Sequence, residues 1–191
     1  MMPTTAAPPF GAERQKWLDE TIRRLDPERL KGLLFALTDI HSPTGATREA
    51  SHFMAGVLTG IGMDARYMPM SDHTGNVLAE KRGSGGGAAV MLYAPIDTHL
   101  EGNEDDQPWV GPSGFVDLQP RARMNGDWVY GLGSSNPKAM IATLTEVATA
   151  LIEAEVPIVG DLMFGLADGG MPVNIAARDN AGMSNGVFIP D

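Results

Sequence analysis

The feature that most constrains the fold is an apolar run, residues 88–96, that leads directly into Asp97, Thr98 and His99. A short apolar run bounded by turn residues is typical of a buried strand. A second distinctive segment, from Gly131 to Lys138, contains two glycines and two serines and precedes a helical pattern. A carboxylate and an imidazole at the end of a buried strand, together with a polar turn at a helix N-terminus, indicate a pocket in an α/β protein.

The spacing of apolar residues predicts the secondary structure around these two segments. Helices are expected over residues 12–25, 27–40, 47–61 and 137–153, with Met140, Ile141, Leu144, Val147, Ala148 and Leu151 facing inward on the last one. Strands are expected over residues 65–70, 76–82, 88–93 and 161–166. The glycine-rich segment 84–87 predicts a hairpin between the second and third strands, and Asn125-Gly126 predicts another hairpin. Residues 103–113 are polar and are predicted to form an exposed loop.

Helices followed by strands mixed with a long helix predict an α/β fold, with a mixed β-sheet flanked by helices. The length of 191 residues suits one domain. Residues 1–11 are rich in proline, alanine and threonine and are predicted to form a flexible arm, which leaves residues 12–191 for the domain.

Charge and composition exclude several classes of protein. The formal net charge is −10, and no segment collects lysine and arginine, which argues against a nucleic-acid partner. The absence of cysteine excludes disulfides, cysteine-bound zinc and a thiol nucleophile, and fits a cytoplasmic protein. Neither a secretory signal pattern nor an apolar run of about 18 residues is present, so no membrane partner is expected.

Five segments in order resemble the M20 family of metallo-aminohydrolases and peptidases. They are residues 42–62, 75–77, 90–98, 130–138 and 164–170, and the match extends over roughly residues 28–172. The resemblance implies the N-terminal part of the family's catalytic domain. It also implies a partial domain over residues 12–191, because M20 enzymes are about twice as long as this chain. A second polypeptide or the remaining C-terminal half is therefore expected to complete the domain, in a higher oligomer.

The residues that hold the two metal ions in that family are replaced in this chain. Pro95 stands at the position of a histidine ligand, Asn136 at that of the bridging aspartate, and Gly169 and Gly170 at those of a glutamate pair. Proline and glycine side chains offer no ligand atom, and a neutral amide binds divalent ions weakly. Asp97, which orients the ligand histidine in the family, remains. No metal and no other cofactor is therefore expected.

Candidate site residues follow from the two segments and the resemblance. Asp97, His99 and Asn136 are candidate catalytic residues, and the candidate substrate-binding residues are Ser134, Ser135, Lys138, Gly169 and Gly170. The alternatives are structural. Asp97 could bond backbone amides, His99 could pack on the rim, Ser135 or Asn136 could cap the helix, and Gly169-Gly170 could form a turn. A replacement metal site built from Asp97, His99 and Glu101 is a further alternative.

The sequence is compatible with two functions. The first is a metal-free hydrolase of amide, imide or ring C–N bonds in a small-molecule substrate, with Asp97 activating water. The second is a non-catalytic structural or binding subunit of an M20-like heteromeric complex. It is favoured by the loss of every metal-site function at once, together with the half-length chain. A conventional metallopeptidase would require the motif positions to be displaced in three places.

Overall fold

The computed structural model describes residues 11–170, so the predicted arm falls almost wholly outside the described residues, as does everything after Gly170. The helices are α1 (Ala12–Arg24), α2 (Pro27–Asp39), α3 (Arg48–Gly60), α4 (Gln107–Asp117) and α5 (Lys138–Glu153). The strands are β1 (Asp64–Pro69), β2 (Gly75–Lys81), β3 (Val90–Pro95), β4 (Arg123–Asn125), β5 (Trp128–Tyr130) and β6 (Leu162–Ala167). None of these helices is long and apolar enough to cross a membrane.

Four of the strands form one mixed sheet in the order β1-β2-β6-β3. β1 pairs antiparallel with β2, β2 pairs antiparallel with β6, and β6 pairs parallel with β3. This arrangement confirms the predicted α/β class. The hairpin predicted at Asn125-Gly126 is also present, because β4 and β5 pair antiparallel across it.

The hairpin predicted between β2 and β3 is wrong, because β6 lies between these two strands. Phe164 and Leu166 of β6 are fully buried, whereas Val90 and Met91 of β3 are exposed. A strand with a continuous apolar sequence is favoured at the centre of a sheet, where neighbours cover it on both sides. Periodicity along the chain cannot reveal such an insertion, because the inserted strand comes about 70 residues later.

One face of the sheet carries the core. The core contains Leu37 of α2, Met54 and Leu58 of α3, and Ile141 and Ala148 of α5, packed on the strand residues Val77, Ala79, Ala94, Phe164 and Leu166. On the opposite face Leu78 and Met163 are half-buried, and Met91 and Tyr93 are exposed. Within the described residues, that second face and the free edge of β3 are therefore the least covered parts of the sheet.

The predicted inward face of α5 is partly wrong, because Met140 and Val147 are 48% and 37% exposed. The helix also contacts α1 and α2, which turns a polar residue, Glu146, inward. Glu146 accepts hydrogen bonds from the Arg29 guanidinium at 2.7 and 2.8 Å. The ion pair satisfies a buried carboxylate that hydrophobic spacing alone could not anticipate.

The exposed loop predicted over residues 103–113 is also wrong. Residues 104–106 form a short 3₁₀ helix, and α4 follows it directly. Asn103 accepts a hydrogen bond from the Asp105 amide, and buried Asp106 accepts two from the amides of Glu101 and Gly102. Asn103 and Asp106 thus bond local backbone amides, a role that short polar side chains favour, whereas Glu104 and Asp105 are exposed.

Candidate functional site

The candidate site lies at the end of the sheet where the parallel strands β3 and β6 reach their carboxyl ends side by side. These strands are parallel, and Pro95 of β3 is paired with Ala167 of β6. The residues that follow both strands therefore meet at the same place, as is general for the carboxyl ends of parallel strands. This brings Asp97 and Asp168 to the same end of the sheet.

Asp97 is fully buried and is held by protein groups. Its Oδ2 accepts a hydrogen bond from the Thr44 hydroxyl at 2.5 Å, and its Oδ1 accepts one from the Gly170 amide at 3.2 Å. The bond to a backbone amide is the one that the structural alternative anticipated. With no exposed surface, the carboxylate fixes the Gly170 turn and does not itself face solvent.

Asp168 is the second buried carboxylate, and it was not among the site residues predicted from the sequence. It accepts hydrogen bonds from the Thr74 hydroxyl and, at 3.1 and 3.2 Å, from the Gly45 amide. Its own amide donates to Asn76 Oδ1 at 3.0 Å. The motifs at residues 42–45 and 75–77 were the available signal, since Gly45 donates to the Asp168 carboxylate and Asn76 accepts from the Asp168 amide.

Pro95 and Gly170 lie in contact at the position where the resemblance places two metal ligands. A Cβ built on Gly170 would lie 2.7 Å from Pro95 Cβ and 3.1 Å from Pro95 Cγ. The first distance is closer than real Cβ atoms approach one another, so a side chain at position 170 would require the proline to move. The residues present do not fit the family's metal pair, both in donor chemistry and in space.

Tyr93 is a further residue at this end of the sheet, and it was not predicted from the sequence. Its hydroxyl oxygen lies 3.0 Å from the same built Cβ on Gly170, and its ring passes Gly165, the residue paired with it in β6. Burial, and then the negative charge of Asp97, raise the pKa of the phenol. The signal was its position two residues before Pro95, which places both side chains on the same face of β3.

Lys138 was predicted to bind substrate, but it does not line an open pocket. It is 1% exposed, and its Nζ donates a hydrogen bond to the Ile40 carbonyl at 2.7 Å. Burial lowers its pKa to about 8. Its aliphatic chain passes Gly133, whose φ is +76° and whose built Cβ would lie 2.8 Å from Thr98 Cγ2. Glycine is required there both by its conformation and by space.

The remaining residues of the polar turn differ in exposure. Ser134 is half-buried and donates a hydrogen bond to the Val129 carbonyl at 3.4 Å, whereas Ser135 and Asn136 are exposed. α5 begins at Lys138 after Pro137 and has no side-chain cap, so the alternative of capping by Ser135 or Asn136 is wrong. The Lys138 amide donates to the Gly133 carbonyl, which removes one donor from the helix N-terminus.

His99 is exposed although Asp97 is buried, so the two side chains do not share one environment. Between Gly11 and Gly170, no group of three or more histidine, aspartate or glutamate side chains is arranged to hold a metal ion. The alternative site built from Asp97, His99 and Glu101 therefore does not form in the described part of the chain.

An open groove of about 560 Å³ lies beside the loop of residues 42–47. Its lining consists of His41, Ala46, Arg48, Glu49, His52, Asp72 and His73. The loop contributes to both places, because Ala46 lines the groove while Thr44 and Gly45 bind the two buried carboxylates. Burial, and then the charge of Lys138, lower the pKa of His41, which favours its neutral form.

Comparisons of sequence find no matching family model and no matching curated protein. Solved structures do match. The dipeptidase Dug1p from Saccharomyces cerevisiae has a TM-score of 0.59 at 13% identity, over 80% of this chain and 34% of its own. LapB from Legionella pneumophila has a TM-score of 0.58 at 13% identity, over 83% and 40%. A tripeptidase from Staphylococcus aureus has a TM-score of 0.55 at 17% identity, over 76% and 37%.

At these identities the likeness concerns the fold. The chain corresponds to about a third to two fifths of the length of these three structures. The resemblance drawn from the sequence motifs is confirmed at this level, since M20 family peptidases are among the matching structures. The chain has the α/β fold of part of an M20 family peptidase.

Proposed function

We propose that the chain belongs to a hydrolase of amide or other C–N bonds that works without the metal pair of the M20 family. The proposal rests on the contact between Pro95 and Gly170, where a Cβ built on the glycine would lie 2.7 Å from Pro95 Cβ. Pro95 and Gly170 stand at positions that the resemblance gives to two metal ligands. The nearby carboxylates of Asp97 and Asp168 remain hydrogen-bonded. A decayed site would not need two buried carboxylates, each of which is costly unless it is fully paired.

In this proposal Asp97 acts by holding the Gly170 turn, since it has no exposed surface. The groups that meet the substrate are then the exposed ones at the rim, among them Asn136, Ser135 and His99. Exposed His99 is the candidate to activate water, because a neutral imidazole nitrogen can accept a proton from water. The groove beside residues 42–47 offers volume for the rest of a small substrate.

The test is turnover in the presence of a chelator. The purified protein, with any polypeptide that co-purifies, is incubated with an N-acetyl amino acid, a dipeptide and a cyclic imide, and released amine or acid is measured. We expect at least one probe to be cleaved at a rate that chelator leaves unchanged, and that His99→Gln lowers by about 100-fold. Arg14→Gln, at an exposed position of α1 outside the groove, is the control. Absence of turnover on all three probes contradicts the proposal.

A second candidate function is a non-catalytic subunit that completes a larger M20-like domain. The free edge of β3 favours it, because Val90 is 55% exposed, Met91 39% and Tyr93 44%, with no charged residue in the strand. An exposed apolar edge strand is a surface on which another strand pairs. The matching structures are much longer than the aligned region, which supports a second polypeptide, most simply the C-terminal half of such a chain, as the occupant. Native mass spectrometry of the complex purified from its source tests this.

A further inference from the structure

We propose that the Tyr93 hydroxyl is the hydrogen-bond donor that contacts the carbonyl oxygen of an amide ligand at the corner formed by Pro95 and Gly170. The inference rests on the proposed function and deepens it by naming a further catalytic residue. The contact is a hydrogen bond that polarises the carbonyl, with no covalent bond formed and no proton transferred. A hydrolase that lacks a metal ion needs such a donor, since the carbonyl must otherwise develop negative charge unaided.

The position of the phenol is the first argument. Tyr93 is paired with Gly165, and a Cβ there would lie 3.8 Å from Tyr93 Cδ2, so the ring crosses β6 where no side chain competes. The hydroxyl oxygen reaches to 3.0 Å from the built Cβ of Gly170. Two glycines therefore leave room for one aromatic side chain, which ends beside the turn that Asp97 holds. A side chain larger than hydrogen at position 170 would displace the hydroxyl.

Three other hydroxyl and ammonium donors near this end of the sheet have protein acceptors. The Thr44 hydroxyl donates to Asp97, the Ser134 hydroxyl to the Val129 carbonyl, and the Lys138 ammonium to the Ile40 carbonyl. Lys138 is moreover buried. Tyr93, by contrast, is 44% exposed and lies at the boundary between the buried carboxylates and solvent. Of these four side chains, Tyr93 is the most exposed to a ligand that arrives from solvent.

Electrostatics indicates the class of ligand. The negative charge of Asp97 and partial burial both favour the neutral phenol, so Tyr93 is a donor and not a phenolate nucleophile. The same charge opposes a carboxylate or phosphate at this corner. A neutral amide carbonyl is therefore the favoured acceptor, in a peptide, an N-acyl compound or a cyclic imide.

The kinetic test compares Tyr93→Phe with Tyr130→Phe, on whichever of the three probes the protein cleaves. Tyr130 lies on β5, its ring faces the Arg123 guanidinium, and the exchange removes a hydroxyl there too. We expect Tyr93→Phe to lower kcat by about 100-fold with little change in KM, as for loss of one donor to a developing oxyanion. Tyr130→Phe should leave both parameters unchanged. Turnover by Tyr93→Phe at the level of the unmodified protein overturns the inference and leaves the proposed function standing.

A binding test separates the two proposals when no probe is cleaved. The chain has three tyrosines, so protein labelled with ¹³C at the ring Cζ gives three signals, assigned with Tyr67→Phe and Tyr130→Phe. N-acetylglycinamide is titrated into the full-length protein. We expect it to move the Tyr93 signal and leave that of Tyr130 in place. A moving Tyr93 signal without turnover supports the donor role and rejects hydrolysis, whereas a signal that stays in place overturns the inference, even if Tyr93→Phe cannot be folded.

Discussion

The ring of Pro95 lies against Gly170 so closely that a Cβ on the glycine would lie 2.7 Å from Pro95 Cβ. Pro95 is the last residue of β3, and Gly170 follows the end of the parallel strand β6 by three residues. The M20 resemblance places a metal ligand at each of these two positions. One has a side chain without a ligand atom, and the other has no side chain. The proposal of a metal-independent site depends on this contact.

Gly170→Ala should destabilise the protein by about 1–3 kcal/mol, because the added methyl group overpacks the contact with Pro95. Gly56→Ala is the control, since its built Cβ meets nothing within 4 Å in the interior of α3. The control should stabilise the protein slightly, as helical glycine to alanine does. Urea denaturation measures both. Equal effects of the two substitutions would show that position 170 has room for a side chain.

Asp97→Asn should lower the free energy of unfolding by about 1–3 kcal/mol, because the new amide group turns a donor toward the Thr44 hydroxyl or the Gly170 amide. The exposed Asp127→Asn, in the turn between β4 and β5, should change it by less than about 0.5 kcal/mol. Stability of Asp97→Asn equal to that of the unmodified protein would rule out the positioning role that the hydrogen bonds assign to this carboxylate.

Lys138 should make stability depend on pH above pH 8. Its pKa is lowered from 10.5 to about 8 by burial, so between these values the unfolded chain binds a proton that the folded chain has released. Stability from this group therefore rises with pH across the window, by about 3 kcal/mol at roughly 1.4 kcal/mol per pH unit.

Denaturation of the unmodified protein and of Lys138→Met at pH 7.5 and 10.5 measures this contribution as the difference between the two. The difference should shift in favour of the unmodified protein at the higher pH. Lys16→Met, at an exposed position of α1, should show no such shift. If the two variants behave alike, Lys138 is hydrated and not buried as described.

The free edge of β3 should drive association. Met91→Lys places a charge on this edge strand and should weaken binding of a second polypeptide or self-association, whereas Met124→Lys, on the hairpin strand β4, should not. Native mass spectrometry and light scattering provide the measurement. A cooperatively unfolding monomer of about 20.3 kDa, alike in all three proteins, would contradict this account of the edge.

Sequence reasoning predicted most helices and strands correctly, because their apolar periodicity is local. It missed the insertion of β6 between β2 and β3, which depends on pairing between residues far apart in the chain. In the site it identified Asp97 but not Asp168 or Tyr93. The positions of these two side chains depend on Thr74, Gly45 and Gly165, which only the folded chain brings close. Lys138 was predicted to face a pocket, since a lysine is rarely buried, and here the Ile40 carbonyl provides its acceptor.

Elemental analysis of the purified protein tests the central claim most directly. Zinc, cobalt and manganese are measured per chain after purification and again after dialysis against each metal, with turnover recorded before and after chelation. We expect none of the three in stoichiometric amount and no loss of turnover on chelation. One or two ions per chain, removed by chelator together with the activity, would show that the contact between Pro95 and Gly170 does not exclude a metal centre.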